Sequence, residues 1–408
     1  MRVTIEEIEK NFYLLRVDDD RVNFFEGQWE IPEGITYNSY LLVTEEGAVV
    51  FDGWKFNYAA AHLEALESII DLKNVRYIVV HHMEPDHTGS LELIAKHAVN
   101  AAVLAHPLAL RMARQSYPTL ASRMRIVKDG ETIRVGGVEL RLVYTPWLHW
   151  PETMVTWIPG YKALITCDVF GAYGTLPYIY DDEAEKGGSL DTILWYAQKY
   201  VVTVIGHYRD YIVKALEKLQ ASGIKPSLIA PGHGVIWRSH VDKILDLYER
   251  LGRGEPLENK ALVVAVTMYG SSDLLGGIAA RLLAASGYQV HYYTLNDVKR
   301  HALSDIVAHA ADSKLIVLSG ATYEAESNPL LRHLALLFCE KSAARGKRVI
   351  LLSPYGWGGV AGKKISDILS SCGFSVEKLE LHMPAPPVVT RQLLEDLAAK
   401  IKQLLAGG

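Results

Sequence analysis

The spacing of hydrophobic positions divides this chain of 408 residues into an irregular first part and a regular second part. In the first 250 residues or so, short apolar runs alternate unevenly with stretches of helical spacing. Residues 41–43 and 48–51 read as paired strands around a Glu45-Glu46-Gly47 turn. Residues 60–70 carry helical spacing, and 75–80 form a strand-like apolar run. Further strands are predicted at 102–104, 138–143 and 163–166, with helices at 190–200, 208–221 and 241–251. The segment 252–260 has two glycines, a proline and several charges and reads as a linker. Beyond it, strands at 262–266, 289–293, 315–318, 348–352 and 376–381 alternate with helices at 273–286, 297–311, 329–344, 362–372 and 391–405. Such alternation predicts a doubly wound, five-stranded parallel sheet. The expected organisation is α/β throughout, with domains at 1–255 and 256–408.

Composition narrows the classes. A chain that is 49% hydrophobic and 22% charged can bury a core and is not a disordered tail. A net charge of -5 does not suggest a nucleic-acid surface or a polybasic membrane patch. No apolar run is long enough to span a bilayer, and the acidic start Met1-Arg2-Val3-Thr4-Ile5-Glu6-Glu7 is unlike a signal peptide, so a cytoplasmic protein is expected. Cys167, Cys339 and Cys372 are too few and too scattered for a disulfide framework or an iron–sulfur motif.

The candidate chemistry starts at His82-Met83-Glu84-Pro85-Asp86-His87, which puts two imidazoles and two carboxylates directly after an apolar strand. Alternate residues leaving a strand point to different sides, so such a run can serve two metal ions. Read alone it could be a polar loop with a chance histidine cluster. Further possible ligands recur at later strand ends: His149 in Trp147-Leu148-His149-Trp150-Pro151, Asp168 after 164–167, and His233 in Ala230-Pro231-Gly232-His233-Gly234. This order resembles the binuclear sites of the metallo-β-lactamase superfamily, whose zinc hydrolases have a second histidine where this chain has Glu84. With Glu84, Asp86 and Asp168 ionised, two divalent ions and a hydroxide would leave the site neutral. A carboxylate-rich site with imidazoles and open positions suits iron.

In the second half, Thr267-Met268-Tyr269-Gly270-Ser271-Ser272 lies at a strand-to-helix turn, where backbone N–H groups and hydroxyls can cradle a phosphate. It is neither a P-loop nor a GxGxxG turn, and a single phosphate held by hydroxyls fits FMN. A plain capped helix start is the simpler alternative. Two further strand ends carry Ala321-Thr322-Tyr323 and Tyr355-Gly356-Trp357-Gly358-Gly359, which would flank the crevice where doubly wound sheets bind ligands.

Both halves together resemble the flavodiiron proteins, whose pattern also includes Tyr37-Asn38-Ser39-Tyr40-Leu41, His149-Trp150-Pro151-Glu152-Thr153-Met154, Asp168-Val169-Phe170-Gly171 and Asp181-Asp182-Glu183. The resemblance covers essentially the whole chain. It implies a metallo-β-lactamase-like αββα sandwich followed by a flavodoxin-like domain. It also implies iron and FMN as cofactors, and reduction of dioxygen to water or nitric oxide to nitrous oxide. His82, Glu84 and His149 would hold one iron, and Asp86, His87 and His233 the other, with Asp168 bridging; some members leave the histidine equivalent to His87 off the metal. The family commonly has Gln-His where this chain has Ala172-Tyr173, and often Tyr-Tyr-Ala-Asn where it has Tyr200-Val201-Val202-Thr203. Tyr173 is therefore a candidate hydrogen-bond or proton donor to the substrate. No Cys-x-x-Cys pair follows the second half, so the resemblance implies an external donor: a rubredoxin, a reduced deazaflavin or a flavin reductase. It further implies a head-to-tail homodimer or a dimer of dimers, with no nucleic-acid or membrane partner. The rival readings are a zinc hydrolase fused to a flavodoxin module, and a non-enzymatic electron carrier or redox sensor.

Overall fold

The computed structural model of the chain describes residues 2–406. It divides into two compact units, one ending at Glu249 and the other starting at Arg250. The division falls inside the helix Val241–Arg253, and the strand Leu257–Val266 begins four residues later, so most of the expected 252–260 linker is regular structure. Only 254–256 connect the two elements.

The first unit packs two sheets face to face. The larger has seven strands, in the order Arg2–Glu9, Phe12–Asp19, Ile35–Thr44, Gly47–Phe51, Val75–Val80, Ala102–Ala105 and Met124–Ile126. Pairing is antiparallel at the start and parallel from Gly47–Phe51 onward. The smaller has five: Thr132–Val135, Val138–Tyr144, Met154–Ile158, Ala163–Cys167 and Leu228–Pro231. One core joins them: Leu14, Leu42, Phe51, Val79 and Leu104 come from the first sheet, and Leu140, Met154, Ile165 and Ala230 from the second. Each sheet is thus covered on its inner face by the other, which leaves the outer faces to helices such as Ala59–Glu67 and Arg209–Ala221. The 41–43/48–51 hairpin forms as expected, with Leu41 opposite Val50 and Val43 opposite Ala48. The strands Arg2–Glu9 and Phe12–Asp19 were not predicted: the first is mostly exposed, and in the second the buried charges Arg16, Asp18 and Asp19 interrupt the apolar run.

The second unit is a parallel sheet in the order Gln289–Leu295, Leu257–Val266, Ser313–Gly320, Arg348–Tyr355 and Ser375–His382. In chain order that is 2-1-3-4-5, the flavodoxin-like winding, which reverses direction beside the first strand. All five expected strands are present. The helix expected at 297–311 starts only at Leu303. Asn296 Oδ1 accepts the N–H groups of Val298 and Lys299, and this side-chain turn competes with helix initiation. No helix among the described residues is long and apolar enough to cross a membrane.

Cys339, on the helix Pro329–Lys341, is disulfide-bonded to Cys372, at the end of the helix Ala361–Ser371. Their Cα atoms are 5.6 Å apart although 33 residues separate them in sequence, so spacing alone could not reveal the pair. Cys167 is buried and free. Closing a loop of that length removes unfolded-state entropy worth about 3–4 kcal/mol. Cys339→Ser is expected to lower unfolding stability by that order, and the oxidised, unfolded wild type should titrate one thiol. Finding three would show that the link does not form.

Candidate metal centre and flavin cleft

Seven side chains from four strand ends meet in the first unit. His82 follows Val75–Val80, Asp168 follows Ala163–Cys167, His233 follows Leu228–Pro231, and His149 lies in the loop before Met154–Ile158. Glu84 caps the short helix Pro85–Thr88, whose first turn supplies Asp86 and His87. They form two groups: His82, Glu84, His149 and Asp168, and Asp86, His87 and His233. Within each, the candidate ligand atoms lie within 4.8 Å of one another.

Asp168 joins the groups through its two oxygens. Its Oδ2 is 3.3 Å from His82 Nε2 and 3.3 Å from His149 Nε2. Its Oδ1 is 2.8 Å from His87 Nε2 and 3.2 Å from His233 Nε2. Glu84 Oε2 lies 2.9 Å from His149 Nε2 and 3.2 Å from His82 Nε2, while Asp86 approaches His233 at 3.5 Å and His87 at 3.6 Å. All four imidazoles therefore turn Nε2 inward. His87 does so too, which puts it among the candidate ligand atoms.

The sequence builds this geometry through buried supports. Glu152 Oε1 takes His82 Nδ1 at 2.9 Å and the Met83 N–H at 2.9 Å. The Thr36 carbonyl accepts from His233 Nδ1 at 2.6 Å, which fixes the tautomer. Asn38 and Tyr40 bond the Pro231 carbonyl, and Asn38 also bonds Gly234, so the strand Ile35–Thr44 holds the His233 loop. Asp181 accepts the N–H groups of Arg238, Ser239 and His240 and pins the far side of that loop. Gly232 has to lack a side chain: a Cβ there would meet His87 Cε1 at 2.7 Å. Positive φ angles at Trp147 (68°), Cys167 (52°) and Phe170 (67°) flank His149 and Asp168. Strained backbone of this kind persists only where the surroundings enforce it.

Tyr200, singled out only as the start of a segment that departs from the family pattern, makes a contact that the sequence did not foretell. Its hydroxyl donates to Asp168 Oδ1 at 2.7 Å. Nothing in its local pattern distinguishes it from a core residue of the helix Leu190–Tyr200. The hydroxyl of Tyr173 bonds Thr203 at 2.9 Å instead of facing the cluster, and its ring lies 5.1 Å from that of Tyr200 and 5.7 Å from Phe25. His81, next to the ligand run, serves the core: it pairs with Asp52 at 2.7 Å and Thr156 at 2.7 Å.

The electrostatics fit bound cations. Three carboxylates are buried or nearly so, and among the described residues histidines are their ion-pair partners. Both Asp86 oxygens, Asp168 Oδ2 and His233 Nε2 are buried without a hydrogen-bond partner, which is costly unless something else satisfies them. Burial works to raise the Glu84 pKa, but hydrogen bonds from His149 and His82 hold it down at about 2. Burial likewise works to lower the His82 and His149 pKa values, yet carboxylates at hydrogen-bond distance (Glu152 and Glu84 for His82, Asp168 and Glu84 for His149) drive them up to about 10. His87, opposed by burial and favoured by Asp86 and Asp168, rises to about 9. Without metal these imidazoles hold protons at neutral pH, and a metal must displace them. Loading the apoprotein with Co(II) at about pH 7.5 should release protons, seen as a dependence of the binding heat on buffer ionisation enthalpy. A heat independent of buffer would contradict the charge balance described here.

In the second unit a cleft opens at the carboxyl ends of Leu257–Val266, Ser313–Gly320 and Arg348–Tyr355, beside the switch in winding. Thr267, Met268, Tyr269, Ser271, Ser272, Ala321, Thr322, Tyr355, Gly356 and Trp357 line it, with Pro354, Met383 and Ala385, which sequence reading did not include. Gly270, Tyr323, Gly358 and Gly359 are not among its walls. Gly270 has φ 92° and forms the left-handed turn that starts the helix Ser271–Ala285, with its N–H on Thr267 Oγ1 at 2.9 Å. Hydroxyls at the N-terminus of a 15-residue helix fit a phosphate. Trp357 is 94% exposed at the rim.

Known proteins resemble this chain along most of its length. Residues 35–234 match the family described as ODP family beta lactamase. The chain is 27% identical over 385 residues to a nitric oxide reductase of Moorella thermoacetica, covering 94% of this chain and 92% of that one. It is 26% identical over 391 residues to a rubredoxin-oxygen oxidoreductase of Megalodesulfovibrio gigas, covering 95% and 92%. A solved structure of a flavo di-iron protein variant from Thermotoga maritima superposes with a TM-score of 0.88 at 36% identity, covering 99% of both chains. With a two-sheet unit carrying paired metal-ligand groups, a 2-1-3-4-5 unit carrying a hydroxyl-lined cleft, and this match along its full length, the chain belongs to the flavodiiron proteins.

Proposed function

We propose that this protein is an oxidoreductase that reduces dioxygen to water, nitric oxide to nitrous oxide, or both. The observation that carries this reading is Asp168, whose two oxygens each face one ligand group, together with Glu84 at the position where zinc hydrolases of the superfamily have histidine. His82, Glu84 and His149 would hold one iron, Asp86, His87 and His233 the other, and Asp168 both. Bound there, a ferrous pair supplies two electrons and a reduced FMN in the second unit two more, the four that dioxygen needs. The chain's own residues shape the site for small apolar gases. Phe25, Tyr37 and Tyr200 set aromatic rings within 6.1 Å of the His233 ring and exclude bulk water. Tyr200 keeps its phenolic proton and donates it in a hydrogen bond to Asp168 Oδ1, because burial first, and the Asp168 and Asp86 charges next, push its pKa well up.

The names of the relatives support dioxygen or nitric oxide as substrate and a rubredoxin-type donor. A reduced deazaflavin or a flavin reductase is the further option for the donor. Exposed Trp357 and Tyr269 beside the flavin cleft, and exposed Phe56 and Phe24 on the first unit, support a head-to-tail homodimer, in which the flavin unit of one chain serves the metal unit of another.

Two substitutions test the assignment. Glu84→His removes the carboxylate that favours iron, so iron retention should fall, zinc should replace it, and both reductase activities should disappear. Normal iron content and full turnover in that variant would remove the argument from charge. Ser271→Asp puts a like charge at the phosphate cradle and should weaken FMN binding by at least about a hundredfold, roughly 3 kcal/mol, while metal content is kept. A variant that stays yellow at full stoichiometry would place the phosphate elsewhere. The reaction itself is tested by anaerobic turnover of dioxygen and nitric oxide with one reductant, where no consumption of either gas by the fully loaded protein refutes the reading.

A further inference from the structure

Between the helices Leu190–Tyr200 and Arg209–Ala221 the chain does not break but first widens and then tightens: Val201–Ile205 is a π-turn and Gly206–Tyr208 a 3-10 turn. Single π-turns inside α-helices are uncommon and concentrate at functional sites. All five residues of this one are buried. At its leading edge Tyr200 donates to Asp168 Oδ1 at 2.7 Å. At its trailing edge the Tyr208 ring lies 5.3 Å from Trp147, two residues before His149, and the Tyr211 ring lies 6.1 Å from Trp147 and 6.5 Å from Tyr208. The irregular stretch thus lies between a residue bonded to Asp168 and a residue packed on the loop that carries His149.

A polar link holds that turn from outside. Thr203, at its centre, directs its hydroxyl proton to the Lys199 carbonyl at 2.8 Å, with the Tyr200 carbonyl at 3.3 Å. A threonine hydroxyl has one proton, so in the 2.9 Å contact with Tyr173 the phenol must donate and Thr203 must accept. Tyr173 is buried, comes from the loop that follows Asp168, and packs its ring on Tyr200 at 5.1 Å. Its proton is thus directed into the π-turn and away from the metal groups.

We propose that Tyr173 and Thr203 form a positioning pair, whose hydroxyl–hydroxyl bond fixes the π-turn and through it the placement of Tyr200 on Asp168 and of Tyr208 against the His149 loop. The pair rests on the metal-site reading above. Neither member touches substrate, and the role expected of Tyr173 as a direct donor to the substrate is replaced by this one.

The test uses the full-length, FMN-loaded chain with Co(II) in the metal site. It reads the rate at which EDTA strips the cobalt and the visible absorption of Co(II), which reports ligand geometry. One buried hydroxyl bond corresponds to a change of about three- to tenfold in release rate. Tyr173→Phe and Thr203→Val should each speed release by that factor and shift the cobalt spectrum in the same direction as Tyr200→Phe. The double variant should release no faster than the faster single one, because both remove the same bond. Thr203→Ser, which keeps the hydroxyl, should stay within about twofold of wild type. Tyr173→Phe keeps the buried ring, so it reads the bond even where Thr203→Val does not fold. Additive singles, a serine variant as fast as the valine variant, or a wild-type spectrum and rate in Tyr173→Phe would each overturn the pair. Failure of the wild type to take up cobalt would overturn the metal reading and the pair with it.

Discussion

Everything in the first unit follows from placing the Asp168 carboxylate where water cannot reach it. A buried, unpaired carboxylate is too costly to persist, so the fold must gather donors around it. Three elements answer: inward-facing imidazoles at 2.8–3.3 Å, the Tyr200 phenol at 2.7 Å, and whatever cations the site holds. Adding Glu84 and Asp86 at the same place raises the demand beyond what imidazoles alone meet, as the buried Asp86 oxygens without a hydrogen bond show. The same charge that makes the apoprotein costly makes the loaded protein stable, since ligands that bind only the folded state contribute their affinity to folding.

The sandwich supplies the necessary rigidity. Ligands come from strand ends of both sheets, so the core shared by the sheets fixes their mutual distances without any flexible linker. Where the backbone has to turn sharply to present a side chain, as at Cys167 before Asp168, it accepts a left-handed conformation and is held by neighbours: Thr166 Oγ1 on the Val169 carbonyl at 2.6 Å and Trp237 Nε1 on the Phe170 carbonyl at 3.0 Å. Close packing of this order leaves little room for substitution, as Gly232 against His87 illustrates.

The features legible in the sequence are those whose chemistry is local. His82, Glu84, Asp86 and His87 fall within one turn after an apolar strand, and the glycine- and hydroxyl-rich turns of the second unit recur after predicted strands. The regular alternation of that unit was readable because its central parallel strands, Leu257–Val266, Ser313–Gly320 and Arg348–Tyr355, contain continuous apolar runs. What escaped reading depends on contacts across space. Tyr200 meets Asp168 across 32 residues, His233 is oriented by a carbonyl 197 residues away, and Met383 and Ala385 reach the flavin cleft from beyond the last strand. No residue pattern announces a backbone carbonyl as an orienting group. The motif residues Asn38, Glu152 and Asp181 sit between these cases: the resemblance flagged them, but only the structure explains them, as supports for His233, His82 and the 238–240 loop.

The Cys339–Cys372 link encloses the strand Arg348–Tyr355 and the glycine-rich turn that follows it, on which one wall of the flavin cleft is built. A covalent ring around that segment keeps its ends together however far the turn itself opens. Departure of the flavin can then be a local event, in which the turn relaxes while the helices on either side stay anchored to each other. A protein with that architecture can exchange its flavin and recover it without passing through the unfolded chain, so the lifetime of the cofactor and the lifetime of the fold become separate quantities.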